Sequence, residues 1–224
     1  MFFSYDARLR AAVEAALSTD RLSVYGTAAG GDLGSAIDLY CWNTAVGSAF
    51  FGPIGVLEVV LRNALDRQLS RAFTAPWYDD PAFLAIDPKI EKRVQSAKDE
   101  IAKRRKTVTH PRMVAELSFG YWVHLLRPGP NGAYVPTLWG PALSRAFPAG
   151  TRRSRLVADL DPLLKFRNRI AHHEPVFRSD LTEQYTRVLR IIALVAPNLV
   201  RWVEHHSRVP NLITRGPYPP HSRF

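Results

Sequence analysis

The chain of 224 residues contains a single cysteine, Cys41. One cysteine excludes a disulfide framework within the chain and any zinc site built from several thiolates, and it favours a reducing compartment. The first residues, Met-Phe-Phe-Ser-Tyr-Asp, lack the basic and apolar regions of a secretory signal. We therefore expect a cytoplasmic protein.

Long apolar runs are also scarce. The longest stretch without a charged residue covers the 19 residues from Leu39 to Leu57, which by length alone would span a membrane. This stretch contains Asn43, three glycines and Pro53. We predict instead two buried helices that meet at a break at Gly52-Pro53, and no membrane association.

Several catalytic signatures are missing. The sequence has no Gly-x-x-x-x-Gly-Lys phosphate loop, no Gly-x-Gly-x-x-Gly motif, no Gly-x-Ser-x-Gly elbow and no His-Glu-x-x-His zinc motif. These absences count against ATPases, dinucleotide-dependent dehydrogenases, α/β-hydrolases and zinc proteases. We predict no cofactor.

Positive charge is concentrated in the second part of the chain. Residues 1–88 carry 6 basic and 10 acidic side chains, whereas residues 89–224 carry 24 and 10. Such an excess attracts polyanions such as nucleic acid, although ordinary solvated surface charge explains it equally well.

Apolar residues recur with helical rather than strand spacing, and the pattern predicts an all-α fold. Asp87-Pro88 should begin a charged surface helix that reaches about Lys106. Asp161-Pro162 and Glu174-Pro175 should bracket a short helix. A heptad pattern over residues 181–202 favours packing along a partner helix, with a break at Pro197. The proline-rich residues from Arg208 onward should form an extended tail.

The densest polar cluster is Arg167-Asn168-Arg169-Ile170-Ala171-His172-His173-Glu174-Pro175. Arg167 interrupts the apolar stripe of the bracketed helix, so it either pairs with a buried acid or faces a cleft or a subunit interface that receives an anion. His172 follows at the helix C-terminus, where the helix dipole favours the imidazolium form.

Arginine and histidine together suffice for metal-independent RNA cleavage. Histidine moves protons at the 2′-hydroxyl and the leaving oxygen, while arginine stabilises charge on the phosphorane. Residues five apart on a regular helix point about 140° from each other. Arg167 and His172 therefore converge only if the helix end unwinds or if a second subunit contributes, which indicates a composite site in a homodimer.

The segment Arg167-Asn-Arg-Ile-Ala-His172 resembles the Arg-polar-x-x-x-His motif of the HEPN superfamily, and the following His-Glu-Pro is similar to its Abi-like, abortive-infection branch. The segments Asp38–Asn43, Leu57–Asn63 and Leu117–Trp122 are similar to further blocks of that family. The resemblance covers roughly residues 35–195.

This resemblance implies a HEPN-like helical bundle with additional helices, which dimerises through its motif helices. It further implies a metal-independent endoribonuclease with Arg167, Asn168 and His172 as catalytic residues, acting in phage defence or as a toxin on an RNA substrate. An antitoxin, either protein or small RNA, would be a partner. The alternative is a non-catalytic module that binds RNA or a protein partner.

Supporting residues are expected around this motif. His173 and Glu174 adjoin it, and Glu58, Arg62 and Asn63 belong to one of the family-like blocks, although Glu58 and Arg62 at i and i+4 also fit a structural ion pair. A metal site that uses the histidines is the less favoured alternative, because adjacent histidines point apart on a helix. We divide the chain into an N-terminal helical segment (1–34), the HEPN-like domain (35–207) and the extended tail (208–224).

Overall fold

The computed structural model describes residues 6–73 and 76–217, and no strand occurs within these ranges. The predicted all-α class is therefore confirmed. Short 3-10 or π turns join some of the helices. The α-helices in chain order are α1 (Ala7–Leu17), α2 (Thr19–Ala28), α3 (Leu33–Ala72), α4 (Pro81–Leu84), α5 (Pro88–Lys103), α6 (His110–Glu116), α7 (Phe119–Leu126), α8 (Arg153–Ala171), α9 (Leu181–Val195), α10 (Val200–His206) and α11 (Val209–Arg215).

The chain divides into two compact units. Of the described residues, the first unit contains those up to Ile54, the segment Lys165–Thr186 and those from Val203; the second contains those of Gly55–Leu164 and Arg187–Trp202. The boundaries fall inside α3, α8, α9 and α10, so each of these four helices contributes to both units. The divisions drawn from the sequence at residues 34 and 207 remain predictions.

Helix α3 is continuous over 40 residues and contains Pro53 in its interior. The predicted break at Gly52-Pro53 is therefore wrong. Proline removes one helical hydrogen bond, but Ala49, Phe50, Ile54 and Leu57 on either side of it are buried, and the burial of this apolar face outweighs that loss. By length and composition α3 would also be able to cross a membrane, yet half of its most apolar stretch is buried within the protein.

Helix α8 likewise runs through a proline, Pro162, so the predicted helix start at Asp161-Pro162 is wrong. The Asp161 carboxylate does not cap a helix here. It accepts two hydrogen bonds from the Arg127 side chain, at 3.0 Å from Nε and 2.8 Å from Nη2. The Asp161 carboxylate, which the sequence pattern assigned to a helix cap, therefore forms an ion pair with Arg127 instead.

Other expected helix ends are confirmed. Asp87 caps α5 by accepting a hydrogen bond from the Lys89 amide at 2.8 Å, and α9 ends before Pro197. The buried residues of α5 lie along one face, as expected for a surface helix: Ile90, Val94, Ala97 and Ile101.

Four heptad residues of α9 are buried within the protein, Leu181, Tyr185, Val188 and Ile192, while Val195 is half-buried. Packing of this seam along a helix of a second subunit stays a prediction. Trp202, in contrast, is 52% exposed.

The extended tail that was predicted from Arg208 is wrong for residues 209–215, which form α11. Pro210 lies in the first turn of this helix, where proline is tolerated because its missing N–H would have had no helical acceptor. The indole N–H of Trp42 donates to the carbonyl of Leu212 at 3.1 Å and anchors α11 in the first unit. Residues 218–224 of the predicted tail lie outside the described residues.

The second unit contains a buried polar network. The Tyr134 hydroxyl donates to the Asp87 carboxylate, and His124 Nε2 lies 2.9 Å from the same hydroxyl. Burial, followed by the positive charge of Arg93, lowers the pKa of His124. Burial alone would raise the pKa of Asp87, but the hydrogen bonds from Tyr134 and from the Lys89 amide outweigh it and lower that pKa.

We expect this network to make the protein sensitive to mild acid. Because the pKa of His124 is lower in the folded protein than its ordinary value of 6.5, the unfolded chain binds the proton more readily, and stability is lost as the pH falls from 6.5 toward the folded pKa. The lowered pKa of Asp87 adds stability above pH 3.8 that is lost only as the pH falls through its folded pKa.

Urea denaturation between pH 7.5 and 5 measures this effect. The His124→Gln variant should lose less stability than the wild type over that interval, whereas a variant of an exposed histidine, His205→Gln, should follow the wild-type curve. Equal pH dependence in the wild type and His124→Gln would contradict the assignment.

Candidate functional site

The polar cluster lies where α8 ends. The N–H of His173 donates to the carbonyl of Ile170 at 3.0 Å, and the N–H of Glu174 donates to that of Arg169 at 2.8 Å. His173 adopts a left-handed backbone conformation with φ of +56°. These features define a Schellman ending, in which glycine is the usual left-handed residue. Here a histidine occupies that position.

Two side chains hold the segment that follows the cluster. Arg21 of α2 donates through Nη1 to the carbonyl of His173 at 2.9 Å. Asn43 of α3, which is 6% exposed, accepts hydrogen bonds from the amides of Val176 at 2.7 Å and Phe177 at 3.1 Å. The chain beyond the motif is thereby fixed to the first unit by a buried amide and a guanidinium.

The last part of α8 packs closely on α3 within the first unit. A Cβ atom added to Gly47 would lie 3.5 Å from Cγ2 of Ile170, an ordinary van der Waals distance, so the Ile170 side chain lies directly against this part of α3. The rings of Phe50 and Phe166 pack edge to face with centroids 4.8 Å apart. This packing fixes the rotation of α8 about its axis, and hence which motif side chains face solvent.

The three predicted catalytic residues are all accessible to different degrees. Asn168 and His172 are exposed, and Arg167 is half-buried. The amide of His172 still donates to the carbonyl of Asn168 at 2.9 Å, so the backbone stays helical up to His172. The helix end therefore does not unwind between Arg167 and His172, and their Cα–Cβ bonds diverge by about 140°. Unwinding of the helix end, the first of the two routes to convergence, is therefore not observed, and convergence through a second subunit stays a prediction.

A cavity of about 200 Å³ adjoins the motif in the first unit. His173 and Glu174 line it, together with Asn43 and the hydroxyl-bearing residues Tyr40, Thr44 and Ser48 of α3. Arg169 Nε lies 3.4 Å from the Glu174 carboxylate. Phe51, 52% exposed, also lines the cavity. The structure thus brings His173 and Glu174 to the cavity, whereas Arg167, Asn168 and His172 are not among its lining residues.

The remaining predicted residues belong to the second unit. Glu58 and Arg62 are half-buried and Asn63 is exposed. Their support of the site remains a prediction. Among the residues that the structure describes, no group of three or more His, Cys, Asp or Glu side chains is arranged to hold a metal ion.

Sequence reasoning placed Arg21, Thr44 and Ser48 in no site, and it used Asn43 only against a membrane span and as part of a family-like block. One signal was available, because Asn43 is a polar residue within an otherwise apolar helical face and a buried amide requires hydrogen-bond partners. Arg21 is far from the motif in sequence and carried no signal. Comparison of the chain with family models, curated proteins and solved structures found no match.

The left-handed histidine makes a specific prediction about stability. A residue with a Cβ pays about 1–2 kcal/mol in this conformation, while glycine does not. His173→Gly should therefore stabilise the protein by up to about 1 kcal/mol. His172 precedes His173 and still makes a helical hydrogen bond to Asn168. Because glycine is unfavourable in a helix, His172→Gly should destabilise the protein by about 1 kcal/mol. Urea unfolding of the two variants tests the opposite signs, and destabilisation of equal size in both would contradict the analysis.

Proposed function

We propose that this chain is a metal-independent endoribonuclease in which His172 is the general acid or base, Arg167 stabilises charge on the scissile phosphate and Asn168 hydrogen-bonds to it. The observation that carries the proposal is the clustering of these three residues at the accessible end of α8, with Asn168 and His172 exposed. The similarity of the segment to the HEPN motif, in its Abi-like form, supports the same assignment.

The reaction needs two proton transfers. A neutral His172 takes the proton of the ribose 2′-hydroxyl, the 2′-oxygen attacks phosphorus, and the bond to the 5′-oxygen of the next nucleotide breaks. His172, now protonated, gives a proton to that leaving oxygen, and the cleaved strand keeps a 2′,3′-cyclic phosphate. Arg167 offsets the charge that accumulates on the non-bridging oxygens in the transition state.

The geometry of α8 favours a site shared between two copies. Because Arg167 and His172 diverge on one regular helix, a phosphate that contacts the arginine of one copy would meet the histidine of its partner. Glu174 or bound RNA would offset the repulsion between the two arginines.

The cavity beside His173 suits the neighbouring part of the substrate. Its volume of about 200 Å³ is below the range of about 300–1,000 Å³ that is typical of pockets for drug-sized ligands, and it fits one planar base. Glu174 can accept a hydrogen bond from an exocyclic amine, and Phe51 offers an aromatic face for stacking. We assign His173 and Glu174 to binding of an unpaired base next to the scissile phosphate.

The second candidate is a non-catalytic module that binds RNA or a partner protein. The excess of basic residues after position 88 favours it, because that charge holds a polyanion without any chemistry. A binding module should lose affinity on replacement of many single arginines, should bind RNA less tightly as salt rises, and should not depend on His172. Either function fits a cytoplasmic role in phage defence or as a toxin held in check by a protein or RNA antitoxin.

Cleavage of total RNA by the purified protein in EDTA tests the catalytic proposal. We expect fragments that end in 2′,3′-cyclic phosphate or 3′-phosphate, because no metal takes part in the mechanism. His172→Ala and Arg167→Ala should each lower the rate by at least about 100-fold, as expected for loss of a proton carrier or of transition-state charge stabilisation. His173→Ala should lower it less.

Two exposed residues of the first unit provide matched controls, His205→Ala and Arg178→Ala, and both should cleave at the wild-type rate. Circular dichroism of each variant checks the fold. Cleavage that EDTA abolishes and Mg²⁺ restores would reject the mechanism. Full activity in His172→Ala with none in His173→Ala would show that His173, and not His172, is the general acid or base.

The composite site makes a separate prediction about assembly. Light scattering at micromolar concentration should give a dimer of the 25.2 kDa chain. After subunit exchange, an equal mixture of Arg167→Ala and His172→Ala should regain about one quarter of wild-type activity, because half of the dimers are mixed and each has one intact site. An active monomer, or a dimer mixture that stays inactive, would contradict sharing of the site.

A further inference from the structure

A second and larger cavity lies in the second unit. It has a volume of about 710 Å³ and is formed by the segment before α8, the first turns of α8 and the second half of α9. Its polar lining comprises Thr151, Arg152, Ser154, Arg155, Asp159 and Arg190. None of these residues belongs to the proposed ribonuclease motif, so this cavity needs its own explanation.

The charge of the lining is strongly one-sided. Three of the described residues that line the cavity are arginines, and Asp159 is the single acid among them. Asp159 is 7% exposed and accepts a hydrogen bond from Arg190 Nη1 at 2.7 Å. Arg187 Nε lies 3.6 Å from the same carboxylate oxygen. The negative charge of Asp159 is therefore already engaged, and the cavity presents a net positive charge.

The pair between Asp159 and Arg190 also fixes one of the cationic groups. A buried carboxylate that holds a guanidinium by a short hydrogen bond limits its rotamers, so less freedom is lost when the guanidinium binds a ligand. Arg152 and Arg155 are both exposed and line the same cavity. Arg152 immediately precedes α8, and Arg155 lies in its first turn. Planar guanidinium groups from two helices thus surround one volume.

The residues at the start of α8 add to the excess of positive charge beside the cavity. Residues 152–155 read Arg-Arg-Ser-Arg, and the turn contains no acid. Like charges at this spacing repel one another, and nothing in the sequence of the turn compensates for them. A bound anion would remove the repulsion, so the arrangement is more favourable with an anion than without one.

Size and apolar lining indicate the kind of anion. The volume lies within the range of about 300–1,000 Å³ for small-molecule pockets, far more than a single inorganic ion fills. Leu156, Ala158 and Leu194 supply an apolar wall. We propose that this cavity binds an organic phosphate of nucleotide size, with its phosphates on Arg152, Arg155 and Arg190 and its ring against the apolar wall.

Calorimetric titration of the full chain with ADP tests the proposal. We expect saturable binding that pyrophosphate competes for, and no binding of adenosine, which lacks the phosphates. Arg155→Ala should weaken the affinity for ADP at least tenfold. Arg112→Ala is the matched control, because Arg112 is an exposed arginine of the same unit that donates to the carbonyl of Thr107 at 2.8 Å; it should bind ADP like the wild type.

The other outcomes overturn the proposal. Absence of ADP binding to the wild type at millimolar concentration would do so, as would equal losses in Arg155→Ala and Arg112→Ala, which would indicate attraction by overall charge. A 5′-phosphorylated oligonucleotide forms a further arm of the titration. If it binds through Arg155 while ADP does not, the cavity contacts RNA and does not take a free nucleotide. None of these readouts depends on ribonuclease activity.

Discussion

The arrangement of the candidate site depends on one buried side chain, Asn43. Its oxygen accepts two backbone amides from the segment that follows the motif, so the direction of the chain after α8 is set from α3. Without that acceptor, the buried N–H of Val176 and the part-buried N–H of Phe177 would each lose a partner, at a cost of about 1–3 kcal/mol for the buried group. The close contact at Gly47 and the packing of Phe50 on Phe166 then determine the rotation of α8. The accessibility of Asn168 and His172 follows from these contacts.

A histidine in a position that glycine prefers is locally unfavourable, and this has a bearing on function. The strain at His173 is compensated by the hydrogen bond from Arg21 to its carbonyl and by the Schellman bonds. Residues that break a local rule are concentrated at functional sites, because selection for stability alone would replace them. The start of α8, with Arg152 before the helix, Arg153 and Arg155 in its first turn and no acid in that turn, breaks a different rule in the second unit. We have proposed a ligand for each feature: a nucleobase beside His173 and an organic phosphate beside the start of α8.

The sequence predicted the helical class and the ends of α5 and α9 because those depend on local chemistry: an aspartate cap followed by proline, or a proline beyond a last turn. It failed at Pro53 and Pro162, where burial on both sides of the proline outweighs one lost hydrogen bond. It failed for Asp161 because the competing partner, Arg127, is distant in the sequence. The motif residues were found from their order alone, but the contribution of Arg21 and the cavity on α3 require the tertiary contacts.

The five-residue spacing of Arg167 and His172 carries information that neither residue carries by itself. On a helix, a spacing of three, four or seven would place both side chains on one face, where a single copy could complete the site. A spacing of five on a backbone that stays helical up to His172 separates them. In the proposed mechanism, a single copy would then carry the anion-binding group and the proton-transfer group on different faces. Two copies related by a two-fold axis bring unlike faces together twice, because in an isologous contact residue i meets j and j meets i. The spacing that weakens the case for catalysis by one chain is therefore compatible with the symmetric pair that we propose.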